Sequence, residues 1–192
     1  MKTQKIKRYR LSVSRIFPAT HPRKGDRTEF VCKILRSLNL QPLERNNHFY
    51  RCANECGTSC SRMLLDKKLH TCRANYDLWA KRMAEVQAGR AVIELCYWSE
   101  KPYRSKQVVF ATLDKDSGCG VQKVEWWSVS NFWAVYTTMP DDDCGSQDFY
   151  SEVETKTLAK NDGLSLDDFK SWFKGYDLSK PMAIIQFTNF RY

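Results

Sequence analysis

The stretch DKKLHTCRANYDLW, residues 66–79, gathers residue types that can perform nucleophilic, acid–base or phosphate-binding chemistry. Thr71 carries a hydroxyl, which is a useful nucleophile only when a neighbouring base removes its proton. Lys68 supplies that base if burial lowers its pKa, because desolvation disfavours the charged amine. If Lys68 instead stays charged, Lys68 and Arg73 suit a phosphate and Thr71 suits a base edge. These residues leave both alternatives open.

The same stretch is predicted to be a strand that runs into a helix. Side chains alternate between the two faces of a regular strand, so Thr71 and Arg73 should share one face. The opposite face should take the other polar and thiol side chains, which are Lys68, His70 and Cys72. Lys68 and Thr71 therefore converge only if a turn or bulge precedes the strand. A simpler interpretation is a solvated Lys68 and Arg73 beside a hydrogen-bonded His70.

The composition indicates a folded protein with an anionic partner. The 192 residues include 31 Lys and Arg against 22 Asp and Glu, and 13% are aromatic. That aromatic content is too high for a disordered chain, and the net charge of +9 favours association with nucleic acid. No apolar core of a signal peptide follows the basic N-terminus, and no run reaches membrane-spanning length. We therefore expect a soluble, cytoplasmic protein with reduced cysteines and no membrane partner.

Hydrophobic periodicity predicts the elements that position this stretch. YRLSVSRIF alternates as a first strand, and TEFVCKILRSLN has helical spacing from Thr28. Asn75 can cap a helix that Gly89 ends, and AVIELCYW and KQVVFATL read as an antiparallel pair. VQKVEWWSVSNFWAVYTTM continues the strands. Ser165 and Asp168 form a capping pair for a last helix before the closing strand MAIIQFTNFRY. This order predicts an α+β fold built on a small barrel.

The segments KKLHTCR, AGRAVIEL, KQVVFATL and NDGLSLDDFKSWF…MAIIQFTNF, taken in order, resemble the ASCH domain family of the PUA-like superfamily. The resemblance covers roughly residues 8–192. It implies a single ASCH/PUA-like domain over 1–192, with insertions at 39–66 and 114–157. The expected architecture is a small PUA-like β-barrel decorated by about three helices.

The resemblance also implies a function and a set of site residues. ASCH domains are linked to RNA binding and include bacterial amidohydrolases that deacetylate acetylated cytidine. Their catalytic Lys, Thr and Glu correspond here to Lys68, Thr71 and Asp162, and Arg73 matches the arginine of the motif. Asp is one methylene shorter than Glu, and a small loss of reach can impair the positioning that catalysis needs. The main expectation is therefore binding of RNA or a modified nucleoside rather than turnover. No cofactor is expected. An amidohydrolase acting on an acylated nucleoside, or a ribonuclease, is the alternative.

Two loops that mix basic and aromatic residues could follow a phosphate backbone. They are HPRKGDR and WSEKPYRSK. Together with the motif, they give the predicted nucleic-acid-binding residues Lys68, Arg73, Arg23, Lys24, Arg27, Lys101, Tyr103, Arg104 and Lys106. Taken singly, each loop also reads as ordinary solvated surface. A protein-interaction module whose interface lies on the insertion at 114–157 is a second alternative.

Three cysteines recur at a spacing of four residues, at Cys52, Cys56 and Cys60. Structural zinc ligands usually come as closer pairs in two matched sets, so this spacing fits no standard finger or ribbon. We expect free thiols in an insertion there. A structural metal ion held by these thiols is the alternative, and the predicted site residues include no metal ligand.

Overall fold

The computed structural model describes residues 6–40, 66–138 and 148–192. Its elements in chain order are β1 Lys7–Ser12, α1 Phe30–Ser37, β2 His70–Ala74, α2 Tyr76–Gln87, β3 Ala91–Trp98, β4 Gln107–Leu113, β5 Gly120–Trp127, β6 Phe132–Thr138, β7 Asp148–Val153, α3 Thr155–Asn161, α4 Leu166–Phe173 and β8 Met182–Gln186. The α+β class is confirmed. The prediction that residues 66–79 form a strand followed by a helix is confirmed by β2 and α2.

The strands form two sheets. One has the order β1-β3-β4, and the other has the order β2-β8-β5-β6-β7. β1 pairs in parallel with β3, while β3 and β4 form the predicted antiparallel hairpin. The described ranges contain no closed barrel, so the predicted PUA-like barrel is not confirmed.

The described ranges contain four helices rather than the expected three or so. The additional one is α3, a helix of seven residues, TKTLAKN, too short to show a clear helical period in sequence. Leu158 and Ala159 anchor α3 because both are buried. Nowhere in the described ranges does a helix have the length and apolar content needed to cross a membrane.

The region predicted as an insertion at 114–157 supplies β5, β6 and β7 to the larger sheet. β5 lies between β8 and β6, and it pairs with β8 through the register Val121↔Ile185. Whether this region is an insertion relative to ASCH domains stays a prediction. Residues 41–65 lie outside the described residues. They include most of the insertion predicted at 39–66, and with it Cys52, Cys56 and Cys60.

Local capping fixes the ends of the helices that border the predicted site. The Asn75 side chain accepts a hydrogen bond from the Leu78 N–H, as predicted for the start of α2. Gly89 follows that helix with a φ of 70°. The Ser165 hydroxyl accepts from the Asp168 N–H at 3.1 Å, which confirms the predicted cap of α4.

Strand β8 is the pairing partner of β2, the strand that carries the predicted site residues Thr71 and Arg73. All five residues of β8 are buried, as expected for a strand covered on both faces and typical of the apolar run MAIIQ. β2 pairs with β8 in an unbroken antiparallel register, including Thr71↔Ile185. β2 is an edge strand of its sheet, so one row of its backbone groups is left for other partners.

Candidate functional site

Lys68 and Asp162 form a sealed ion pair beside β2. The Lys68 ammonium lies 2.9 Å from Asp162 Oδ1 and also donates to the Asp162 carbonyl oxygen at 2.5 Å. Only 1% of Lys68 and 3% of Asp162 is exposed. The ammonium also lies 4.1 Å from the centroid of the Phe30 ring, a cation–π contact. The two residues are far apart in sequence, and they meet in a space from which water is nearly excluded.

Backbone contacts bring the two halves of this pair together. The Leu69 N–H donates to the carbonyl oxygen of Asn161 at 2.8 Å, which ties the chain before β2 to the end of α3. Gly163 follows Asp162 with a φ of 74°, a conformation that glycine adopts without strain. A Cβ at Gly163 would lie 3.0 Å from Lys68 Cβ. The NDG sequence at the end of α3 therefore permits the close approach of Lys68.

His70 approaches the same carboxylate oxygen of Asp162 that Lys68 contacts. Its Nδ1 is 3.6 Å from Asp162 Oδ1 and has no hydrogen-bond partner, while its Nε2 is 2.8 Å from the Tyr192 hydroxyl. Asn161 donates to the same hydroxyl at 3.0 Å. Asp162 Oδ1 also accepts from the Cys72 N–H at 3.3 Å, one of the free backbone groups of edge strand β2. The Asp162 carboxylate thus contacts three neighbours, Lys68, His70 and the Cys72 N–H.

Burial and the ion pair shift the pKa values in this cluster. Burial lowers the pKa of Lys68, although Asp162 opposes that shift, and burial also lowers the pKa of His70. Burial alone would raise the pKa of Asp162, but Lys68 and His70 outweigh it, so this pKa is lowered. An amine with a lowered pKa is closer to the neutral form required of a general base.

The structure separates Thr71 from Lys68. Arg73 donates to the Thr71 hydroxyl oxygen at 2.9 Å, and its other terminal nitrogen donates to the Ser12 carbonyl oxygen at 2.7 Å. No hydrogen bond among the described residues joins Lys68 to Thr71. The predicted alternation explains this, because β2 is regular and His70 and Cys72 share the Lys68 side. Two of the three predicted catalytic residues therefore meet directly, and Thr71 faces Arg73 instead.

A pocket of about 720 Å³ lies beside the ion pair, between the loop that follows β1 and the start of α4. Lys33 and Gly163 line this pocket and also contact Lys68, so they form the wall between the two. Lys33 donates to the Gly163 carbonyl oxygen at 2.8 Å. The charged lining residues are mixed in sign: Arg23, Arg27, Lys33, Asp26, Glu29, Asp66 and Asp168. This mixture suits a neutral polar ligand better than a chain of phosphates.

Most of the predicted nucleic-acid-binding residues lie at the surface. Arg23, Lys24 and Arg27 are exposed in the first basic loop, and Lys101, Tyr103, Arg104 and Lys106 are exposed at the tip of the β3–β4 hairpin. Arg15 links the two loops, because its guanidinium donates to the Ser99 carbonyl oxygen at 2.5 Å. Arg73 is half-buried, whereas Lys68 is sealed and presents no charge to solvent.

A patch of exposed aromatic residues covers one end of β5, β6 and β7. Trp127 is 38% exposed and its ring lies 5.1 Å from that of Tyr150, which is 43% exposed. Phe132 stacks on Tyr150 at 6.3 Å. Contiguous exposed aromatic surface of this kind is typical of protein interaction sites.

A metal ion could use one group of side chains in the described ranges, His70, Cys72 and Asp162, whose donor atoms lie within 4.8 Å of one another. Two features oppose an ion there. Lys68 already supplies a positive charge to Asp162, and burial raises the pKa of Cys72, which disfavours the thiolate that binds metals. The cluster fits an ion pair better than a metal centre.

Sequence reasoning assigned no role at the site to Lys33, Gly163 or Tyr192. The strand alternation did place His70 on the Lys68 face, which is the signal that could have identified it. Tyr192 has no local signal, since its contact with His70 depends on how the chain beyond β8 folds back.

Comparison of the chain with protein-family models, with curated proteins and with solved structures finds no match. The resemblance to ASCH domains therefore rests on the sequence motifs alone. The fold and site define an α+β protein with a buried Lys–Asp pair beside a polar pocket.

Proposed function

We propose that this protein binds RNA and holds a nucleoside in the pocket beside Lys68 and Asp162. The observation that carries the proposal is the tip of the β3–β4 hairpin. Tyr103 is 89% exposed there, and its ring lies 5.3 Å from that of Trp98. Tyr103 also has a φ of 62°, a conformation that costs a bulky residue about 1–3 kcal/mol. An aromatic ring held in solvent at that cost is suited to stacking on a base.

Charge at the hairpin tip supports the same function. The tip carries three exposed cations against one acidic residue, Glu100. Within the described ranges, none of these cations has a carboxylate partner; they are Lys101, Arg104 and Lys106. Unpaired cations beside an exposed ring suit a single strand, whose phosphates need counter-charge and whose bases need a stacking surface.

The pocket beside the ion pair suits the nucleoside itself. Its volume of about 720 Å³ falls within the roughly 300–1,000 Å³ of small-molecule sites. Its mixed charges can donate to and accept from the edge of a base. Arg15 connects the pocket to the hairpin, because its guanidinium donates to the Ser99 carbonyl oxygen and its own carbonyl oxygen accepts from the N–H of Thr28, a lining residue. The hairpin would then contact the phosphates on either side of that nucleoside.

The test is the salt dependence of RNA binding. Lys101→Ala/Arg104→Ala should flatten the log–log slope of affinity against salt by about 0.7 for each cation removed, as for contacts to single strands. The matched control is Lys81→Ala/Lys115→Ala, which removes two exposed lysines that lie outside the hairpin tip and outside the pocket lining and should leave the slope unchanged. Salt-independent binding, or no binding to a panel of single-stranded RNAs, would contradict the proposal. The second result would favour a protein partner at the aromatic patch.

An amidohydrolase acting on an acylated nucleoside is the second candidate. It is favoured by the desolvated Lys68 at 2.9 Å from Asp162 Oδ1. The Thr71–Arg73 contact opposes it, because Thr71 would have to turn towards Lys68 to be activated. Incubation of the pure protein with acetylated cytidine and short RNAs, followed by mass spectrometry, tests deacetylation and RNA cleavage together. Asp162→Glu should raise deacetylation if the missing methylene limits the reaction, and equal inactivity of both proteins would exclude this candidate.

A further inference from the structure

A second pocket, of about 610 Å³, lies on another part of α4. Side chains from β5, β6, α3, α4 and the turn after α4 line it, and none of them lines the pocket beside Lys68. Its lining differs in character as well, since it combines an aromatic floor with a rim of lysines. Neither feature has a role in the function proposed above.

The floor of this pocket is aromatic and partly fixed. The Trp126 and Trp133 rings lie 5.0 Å apart, and the Trp133 indole N–H donates to the Thr155 hydroxyl at 3.2 Å. Phe173 lies 4.9 Å from Tyr176 in an edge-on contact. Trp133 and Phe173 are buried, whereas Trp126 is partly exposed and Tyr176 is 41% exposed. Trp126 and Tyr176 therefore have ring surface available to a ligand.

The rim of this pocket is basic. Its three lysines, Lys156, Lys170 and Lys174, are exposed, and none has a carboxylate partner in the described ranges. Glu154 is the one acidic lining residue. Lys170 and Lys174 are four residues apart at the end of α4, a spacing at which like charges repel. An anion between them would relieve that repulsion.

We propose that this pocket binds a nucleotide, with its base on the Trp126 and Tyr176 rings and its phosphate among Lys156, Lys170 and Lys174. A flat ring joined to an anion matches the floor and the rim together. A peptide added as a strand would need an open sheet edge, but β5 and β6 are each paired on both sides. The site is independent of the pocket beside Lys68 and of RNA binding at the hairpin.

Isothermal titration calorimetry of the full chain tests this site with four kinds of probe: uridine and adenosine 5′-monophosphates, the two matching nucleosides, inorganic phosphate, and an acidic peptide that contains tyrosine. The monophosphates should bind more tightly than the nucleosides or phosphate. Lys170→Ala/Lys174→Ala should weaken monophosphate binding at least tenfold and leave nucleoside binding nearly unchanged. Tyr176→Ala, at an exposed position, should weaken binding of both nucleotides and nucleosides.

The control Lys81→Ala/Lys115→Ala removes the same charge from two exposed lysines that line neither pocket, and it should keep wild-type affinity. Tight binding of phosphate alone, tighter binding of the peptide, no binding of monophosphates, or unchanged binding by Lys170→Ala/Lys174→Ala would each overturn the proposal. Lys101→Ala/Arg104→Ala separates the two proposals, because it should weaken RNA binding and leave monophosphate binding intact.

Discussion

Two ion pairs near the start of α4 have the same length and opposite surroundings. Lys68 lies 2.9 Å from Asp162, and Arg23 lies 2.9 Å from Asp168. The side chains of the first pair are 1% and 5% exposed, whereas those of the second are 49% and 11% exposed. Distance alone therefore does not set the role of a pair. Water screens the charges of the Arg23–Asp168 pair. Water is nearly excluded from the Lys68–Asp162 pair, so that pair is costly to break and its charges shift the pKa values of the residues around it.

The chain explains the difference between the two pairs. Lys68 packs between α1 and Gly163. Because Gly163 has no side chain, its backbone can lie directly against Lys68. Arg23 comes from an exposed loop and stacks on the Phe17 ring at 4.6 Å, with its guanidinium at the mouth of the polar pocket. Arg23 and Asp168 both line that pocket, whereas Lys68 and Asp162 do not.

Removing the carboxylate of the sealed pair should have the largest effect on stability. Asp162→Ala leaves the Lys68 ammonium buried without its counter-charge, which destabilises proteins by about 3–5 kcal/mol. Urea denaturation measures the free energy of unfolding. The double variant Lys68→Met/Asp162→Ala should recover much of the loss, because it removes the stranded charge. If Asp162→Ala unfolds at the wild-type urea concentration, the pair is not sealed as described.

The pH dependence of stability tests the same cluster with a smaller effect. Burial lowers the pKa of His70 in the folded state, so the unfolded chain binds this proton first as the pH falls. The contribution of the neutral His70 to the free energy of unfolding is therefore fully present above pH about 6.5. Below that pH it is lost, by at most about 1.4 kcal/mol per pH unit. Urea denaturation between pH 7.5 and 5 should show a steeper decline for wild type than for His70→Gln. Parallel curves would mean that His70 accepts its proton in the folded state.

The sequence predicted the part of the site that depends on local rules. Strand alternation placed Lys68, His70 and Cys72 on one face and Thr71 with Arg73 on the other. The structure agrees, because the side chains of the first group surround Asp162 and Arg73 contacts Thr71. The resemblance supplied Asp162 as the acidic partner, a contact that local periodicity cannot predict because the partners belong to distant segments. The caps at Asn75 and Ser165 were predicted for the same local reason and are confirmed.

What the sequence did not predict depends on packing between distant segments. Burial of Lys68 requires α1, the end of α3 and Gly163 to pack around it together. Without knowledge of those contacts, a lysine in a polar stretch of sequence is predicted to be solvated. His70 pairs with Gln186 at the end of β8, whereas Tyr192 lies beyond that strand, so their contact depends on how the last residues fold back. Sheet closure is likewise a property of all strands at once, which element order alone does not determine.

Breaking the exposed Arg23–Asp168 pair should have the smallest effect on stability. It is also the most direct comparison with the buried Lys68–Asp162 pair. Arg23→Ala removes a half-exposed guanidinium, and exposed ion pairs contribute about 0–1 kcal/mol, so the free energy of unfolding should fall by less than about 1 kcal/mol. Salt should abolish this difference, because ions screen exposed charges at 1 M within roughly 3 Å. Urea denaturation of wild type, Arg23→Ala and Asp162→Ala at 0.05 M and 1 M sodium chloride makes the comparison. The Asp162→Ala loss should persist at high salt, since ions cannot enter the sealed space. If both losses vanish in salt, water reaches Lys68 and the two pairs are equivalent.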